Sequence, residues 1–322
     1  MNFRQLRTFV TIADAGGFAR AIGRLNLSQP AASRQIQALE AELGVSLFDR
    51  IGRHLQLTSE GEDILRRSRR LLQDADLLRD CANSLKSGQA GTLRVGASPQ
   101  HIETVLAPFL MQFRRCHPGI EVHFVEEGGA RINDRLERGD IQVALTTVSN
   151  ELLSGQLLYP ILVLAVLARS HRLGRRAVID VSELADEPLL LLRRSFASRG
   201  WFDAACHNAD FRPRIVLESG APHTLMALAA TGEGVAIVSS NVRVPTGMVR
   251  ATPLAHRGAP IGRWAIVAWD ARRFLPLYAQ QFVDELVAYV RRTYPGRELT
   301  RRTAPLPRPK MNRLAQRRNE ER

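Results

Sequence analysis

Lysine is nearly missing from this chain: Lys86 and Lys310 are the only two among 45 basic residues in 322. Cysteine is scarce as well. Cys81, Cys116 and Cys206 stand far apart with no CxxC pair, which excludes a cysteine zinc site and a disulfide framework. No GxSxG, HExxH, P-loop or GxGxxG is present, so no local motif marks an enzyme, and no metal or cofactor is expected. His101, His117, His123 and His223 are scattered and read as structural histidines. Long apolar runs are lacking too. LLYPILVLAVLA, residues 157–168, is too short to span a bilayer and contains Pro160. Arg4, Arg7 and Asp14 interrupt the N-terminus where a secretory leader would need an apolar stretch, so a cytoplasmic protein without a membrane partner is expected.

Arginine is abundant. The formal net charge is +13 and the mean hydropathy is −0.15, an ordinary soluble composition with a strongly basic balance. The excess is unevenly spread: residues 1–57 carry net +3, 58–90 are balanced, 91–290 carry +2 and 291–322 carry +8. A polyanionic partner fits this charge, although the choice of Arg over Lys also fits the codon usage of a GC-rich genome. The segment 296–322, a block of like charge with three prolines, reads as a disordered basic tail.

Residues 2–43 read as three helices, FRQLRTFVTIADA, FARAIGRLN and LSQPAASRQIQALE (27–40), with Gly16-Gly17 and Asn26-Leu27 as the links. The second link has the length of a helix-turn-helix. Ser28 suits an N-cap and Pro30 the first turn. At 100° per residue, Ala32, Ile36, Leu39 and Leu43 form an apolar stripe, while Gln29, Pro30, Ser33, Arg34 and Gln37 gather on a face without acids. Such a face meets base edges and phosphates when the second helix enters the major groove of double-stranded DNA. LGVSLFDRIGRHLQLTSEG, 43–61, then reads as a hairpin with Gly52-Arg53 at its tip. A basic hairpin there is a wing, with Arg50 and Arg53 as phosphate or minor-groove contacts and His54 beside them.

The run from FARAIGRLN to LTSEG closely resembles the winged helix-turn-helix of LysR-type transcriptional regulators. The resemblance rests on SQPAxSRQI, Leu39-Glu40, Leu43-Gly44, Leu47-Phe48, Arg50, Arg53, Leu57-Thr58 and Gly61, and departs from the family at Ile22-Gly23. From Thr58 to Lys86 one continuous helix of roughly 43 Å is expected. Ile64, Ser68, Leu71, Ala75, Leu78, Ala82 and Leu85 form its a/d seam, flanked by charges, so Ile64, Leu71, Leu78 and Leu85 are the candidate dimerisation residues. This agrees with the family's linker helix and implies a homodimer on a pseudo-palindromic site. The family also implies frequent tetramers and contact with RNA polymerase.

After KSGQAG, 86–91, strand and helix signals alternate: TLRVGA, IEVHFVE, IQVALTT, ILVLAVLA, PLLLLR, RIVLES, GVAIVSS and RWAIVAWD, with helical ARINDRLERG and HTLMALAAT between. Apolar runs between helices predict a mostly parallel α/β sheet covered on both faces. This resembles the family's two-lobed effector-binding domain of the type II periplasmic-binding-protein type. The expected division is a winged helix-turn-helix at 1–58, a linker helix at 59–90, and an effector-binding domain at 91–295. Within it, lobe I takes 91–162 and 264–292 and lobe II takes 163–263.

Ligands of such sheets bind beyond the strand C-termini, where helix N-termini offer N–H groups to an anion. The effector candidates are therefore Ser98, Pro99, Gln100, Gly129 with Gly128, and Thr146 in lobe I, and Ser195 and Phe196 with Arg194 in lobe II. Ser219 and Ser239 close similar strand ends. The small-molecule effector is of unknown identity, with an anion as one candidate. Two alternatives stand beside this reading. A redox-sensing regulator of the same family would use Cys116 and Cys206. A transporter's solute-binding receptor would share the lobes but need an export signal and no helix-turn-helix.

Overall fold

The computed structural model describes residues 1–51, 54–87, 90–148, 152–245 and 247–309. Two compact units part at Lys86–Ser87. In the first, α1 (Phe3–Ala15), α2 (Phe18–Leu25) and α3 (Gln29–Leu43) enclose a core of Leu6, Phe9, Ile12, Ala21, Ala32, Ile36 and Leu39. Asn26 takes a left-handed φ of 49° to make the short turn between α2 and α3. Strands β1 (Phe48–Ile51) and β2 (His54–Leu57) pair antiparallel, Phe48 opposite Leu57. Leu55 and Leu57 pack partly against the helical core.

The residues that carried the family resemblance have structural reasons. Glu40 Oε1 accepts from the N–H groups of Leu47 (2.7 Å) and Phe48 (3.3 Å), pinning the entry to the wing. Thr58 Oγ1 donates to the Ser46 carbonyl (2.6 Å) and accepts from Gly61 N–H (2.8 Å). A Cβ on Gly61 would sit 2.1 Å from the Leu47 carbonyl oxygen, so only glycine fits there.

Helix α4 (Ser59–Ser87) follows without a break. Its first turns belong to the unit's own core: Leu65 is buried in it, Ile64 packs against it and Ser68 is buried. The seam expected for a partner is therefore shortened, because α4 first completes the winged domain. Leu71 and Leu78 remain 41% and 71% exposed. Arg7 pairs with Asp76 at 2.8 Å and Arg69 with Asp14, tying α1 to α4.

The second unit holds β3 (Gly91–Ala97), α5 (Pro99–His101), a π turn Ile102–Leu106 running into α6 (Ala107–Cys116), β4 (Ile120–Glu126), α7 (Gly129–Arg138) and β5 (Val143–Thr146). Next come β6 (Leu153–Ala168), β7 (Ile179–Asp180), β8 (Pro188–Leu192), α8 (Ala197–Asn208), β9 (Arg214–Ser219), α9 (Pro222–Thr231) and β10 (Val235–Ser239). Strands β11 (Val249–His256), β12 (Ala259–Pro260) and β13 (Gly262–Asp270) lead to α10 (Leu277–Arg292) and α11 (Arg297–Thr300).

The main sheet order is β4-β3-β5-β13-β6-β10-β8-β9, with β11 also on β6. The expectation of a mostly parallel sheet holds only within each half. Strands β4-β3-β5 and β10-β8-β9 are parallel, as βαβ connections require, but β13 on β5, and β6 on β13, β10 and β11, run antiparallel. The cause is that β6 and β13 pass from one lobe to the other. Strand β6 pairs with β13 from Leu153 to Leu162 and with β10 and β11 from Val163 to Ala168. The lobe I sheet is covered by α6 and α10 around Phe109, Phe113 and Phe282, and by α7 through Ile132 and Leu136. In lobe II, Phe202 of α8 covers one face and Leu225 and Met226 of α9 the other.

The expected disordered tail is corrected for residues 296–309. Tyr294 stacks on Tyr159 with centroids 5.3 Å apart, Leu299 packs on the lobe II core, and Leu306 is 6% exposed within it. Trp264 Nε1–H donates to the Leu306 carbonyl at 3.2 Å and Arg308 lies over the Trp264 ring. Charge and prolines had hidden these few apolar anchors. Residues 310–322 lie outside the described ones.

Candidate functional site

Two sites emerge, one on each unit. On α3, Ser28 caps the helix by accepting from Ala31 N–H, and Pro30 occupies the first turn, where its missing N–H costs nothing. Gln29, Pro30, Arg34 and Gln37 are exposed and Ser33 is half-buried, while Ala32, Ile36 and Leu39 are buried on the opposite side. The first turn carries no acid, and Arg34 has no ion-pair partner among the described residues. A helix N-terminus with open amides, an amide side chain and a free guanidinium is suited to phosphate oxygens and base edges. Of the wing, Arg53 with Gly52 lies outside the described residues, and of Arg50 and Leu85 only the backbone is described.

The second site is a cavity of about 640 Å³ in the two-lobed unit. Ser98, Pro99, Gln100 and Thr146 line it from lobe I and Ser195 and Phe196 from lobe II, so six of the seven effector candidates come together. Gly129 opens α7, and its neighbour Gly128 lines the cavity, coming so close to lobe II that a Cβ there would lie 3.3 Å from the Ser195 carbonyl. Ser239 also lines it. Ser219 instead accepts the N–H groups of Arg193 and Ala221, which closes the turn after β9.

The structure adds residues the sequence reading missed. His101, set aside as structural, is 4% exposed and lines the cavity. Burial pushes its imidazole down to about 4, so the ring is neutral at pH 7. Its Nδ1 lies 3.0 Å from Ser98 Oγ, and its Nε2 has no partner among the described residues. Asn241, also 4% exposed, lines the cavity with an unpartnered Oδ1. Trp201 enters from α8, whose first turn is anchored by the buried Arg199: its Nη1–H donates to the Leu192 carbonyl (2.7 Å) and its Nε–H to Asp203 (2.8 Å). A histidine three residues after a helix-capping serine was the one signal that could have flagged His101.

Cys116 and Cys206 are both free. Cys206 is buried, and desolvation, aided by the charge of Asp203, pushes its thiol up to about 12 despite Arg199 nearby. That is the reverse of the activation a peroxide-sensing thiolate needs. No helix among the described residues is long and apolar enough to cross a membrane.

A winged helix-turn-helix, a long helix and a two-lobed α/β unit with a cavity define the class of ligand-responsive DNA-binding regulators. Comparison with known proteins specifies it. Residues 3–62 match the bacterial regulatory helix-turn-helix protein, lysR family, and residues 86–291 match the LysR substrate binding domain. The uncharacterized HTH-type transcriptional regulator YnfL of Escherichia coli K12 is 31% identical over 276 residues, 83% of this chain and 92% of its own. A full-length OxyR variant from Pseudomonas aeruginosa superposes with a TM-score of 0.68 at 25% identity, covering 91% of this chain and 98% of that one. Full-length CbnR complexed with its target DNA gives 0.64 at 25% identity, covering 91% and 99%. The chain belongs to the LysR family of bacterial transcriptional regulators and is a DNA-binding transcriptional regulator with a substrate-binding domain.

Proposed function

We propose that the chain is a non-enzymatic cytoplasmic regulator that reads promoter DNA through Gln29, Pro30, Ser33, Arg34 and Gln37. Arg50 and Arg53 of the wing hold the flanking backbone, and a small effector bound in the inter-lobe cavity modulates the output. The observation that carries this reading is the acid-free, exposed polar face on α3 in the same chain as a cavity lined from both lobes. DNA-binding pairs of such helices need a fixed spacing. The exposed Leu71 and Leu78, beside the groove that α4 forms with α1, supply the apolar surface for a second copy of the chain. Ile64 serves the domain's own core instead. Pairing of dimers into tetramers and contact with RNA polymerase complete the proposed activity, by kinship with the family.

The test is sedimentation combined with anisotropy on DNA from upstream of the gene. Wild type should sediment as at least a dimer and bind in one cooperative step. Leu78→Asp should yield monomers whose affinity falls by about a hundredfold or more, since the linked second half-site is lost. Intact dimers in that variant would remove α4 from the interface.

A further inference from the structure

Lobe II carries a second cleft, of about 730 Å³, that shares no lining residue with the inter-lobe cavity. Five arginines line it: Arg169 after β6, Arg175 and Arg176 at the end of the 3₁₀ turn Arg172–Arg175, Arg250 on β11, and Arg302. All five are exposed, and no carboxylate lines the cleft among the described residues. Residues 91–290 carry a net charge of only +2, so composition conceals this local concentration. Chain order scatters it as well. Arg250 reaches the end of β6 through antiparallel pairing with Leu167. Arg302 arrives because Leu299 and Leu306 dock the C-terminal segment on the lobe II core.

Little of this charge is neutralised from within the chain. Arg176 pairs with Glu183 at 3.2 Å, and the other four have no carboxylate within ion-pair distance among the described residues. Arg169 Nη1–H donates to the Gly247 carbonyl at 3.0 Å and Arg250 Nη1–H to the Gly174 carbonyl at 3.5 Å. Those contacts aim the side chains without cancelling their charge. Arg175 and Arg302 have no side-chain hydrogen bond among the described residues. Guanidinium groups stay charged far above neutral pH. Gathered around one concave surface, they repel one another and focus a positive potential into the cleft, and a bound anion relieves both effects. Each guanidinium presents a planar fork of N–H donors, and a terminal phosphate has three free oxygens to share between two such forks. A single carboxylate would leave most of the set unmet. Val244, Pro245 and Ala177 add apolar wall beside the charges, and the volume suits a small molecule. We propose that this cleft is a second ligand site, separate from the effector cavity, for an organic polyphosphate: a small molecule with two or more phosphate groups. The phosphates meet Arg169, Arg175, Arg250 and Arg302, and the organic part lies against Val244 and Pro245.

Isothermal titration calorimetry on the full-length protein tests this with adenosine, AMP, ADP, ATP and citrate in magnesium-free buffer. ADP and ATP should bind saturably at one site per chain, AMP and citrate more weakly by about tenfold, and adenosine not at all. Arg175→Ala and Arg302→Ala should each weaken ATP about tenfold, while Arg115→Ala, which removes an exposed arginine on α6, should leave it unchanged. Both cleft variants remove exposed side chains without partners, so the fold should persist, as circular dichroism will show. Citrate binding as tightly as ATP would overturn phosphate recognition. Absence of saturable ATP binding, or ATP binding that survives the folded Arg175→Ala/Arg302→Ala double variant, would overturn the site. A DNA duplex that competes with ATP and is itself weakened by the double variant would assign the cleft to the nucleic-acid backbone and overturn the small-molecule class.

Discussion

Lowering the pH from 7 to 5 should destabilise the two-lobed unit through His101. Its imidazole is buried, with a folded pKa pushed down to about 4 from an ordinary 6.5. In that window the unfolded chain binds a proton that the folded one refuses, so stability is complete above 6.5 and falls as the pH drops towards 4. Integrating between the two values gives a loss of about 2 kcal/mol at pH 5 and about 3 kcal/mol at pH 4 from this group alone. Trp201, Trp264 and Trp269 are the only tryptophans and all lie in the two-lobed unit, so urea unfolding followed by tryptophan emission reports that unit without the winged domain. Wild type should lose about 2 kcal/mol more than His101→Gln between pH 7 and 5. An equal pH slope in both proteins would refute the buried neutral imidazole.

Two glycines should respond in opposite directions. Gly61→Ala drives a Cβ into the Leu47 carbonyl and should destabilise the winged domain by about 2 kcal/mol or more. Gly23→Ala, in α2 with nothing within 4 Å of the new Cβ, should stabilise it by about 0.5–1 kcal/mol, both read by far-UV circular dichroism melts. Leu306→Ala should cost about 2–3 kcal/mol in the two-lobed unit and change the emission of Trp264, whose indole N–H bonds the Leu306 carbonyl. An unaltered melt and spectrum would show that the C-terminal segment is not docked.

The winged domain was largely legible because its signals are local. The Ser28 cap, Pro30 and the Ala32–Ile36–Leu39 stripe together bound α3, and the four-three alternation of α4 gave a helix within one residue of the observed end. What failed was deciding which apolar residues face outward: Ile64 and Leu71 share a seam, but only tertiary packing assigns the first to the domain's core. In the second unit, runs such as PLLLL and VAIVS were readable as buried strands. The first half of β6 was hidden by Gly155 and Pro160, although Pro160 sits opposite Trp264, and β11 was missed because Arg250, Thr252 and Pro253 break its apolar pattern. Strand ends located Ser98, Thr146 and Ser195. His101 and Trp201 stand on the same helix starts as the predicted Ser98 and Phe196, whereas Asn241 reaches the cavity only through long-range folding.

The most direct test of the account is a nuclease footprint of wild type and Arg34→Ala on the DNA upstream of the gene, at near-physiological salt. A discrete protected patch is predicted for wild type, with Arg34→Ala binding weaker by roughly 1–3 kcal/mol, about tenfold or more. Uniform, salt-sensitive coating by both proteins would contradict it, showing that binding comes from basic charge rather than from the polar face of α3.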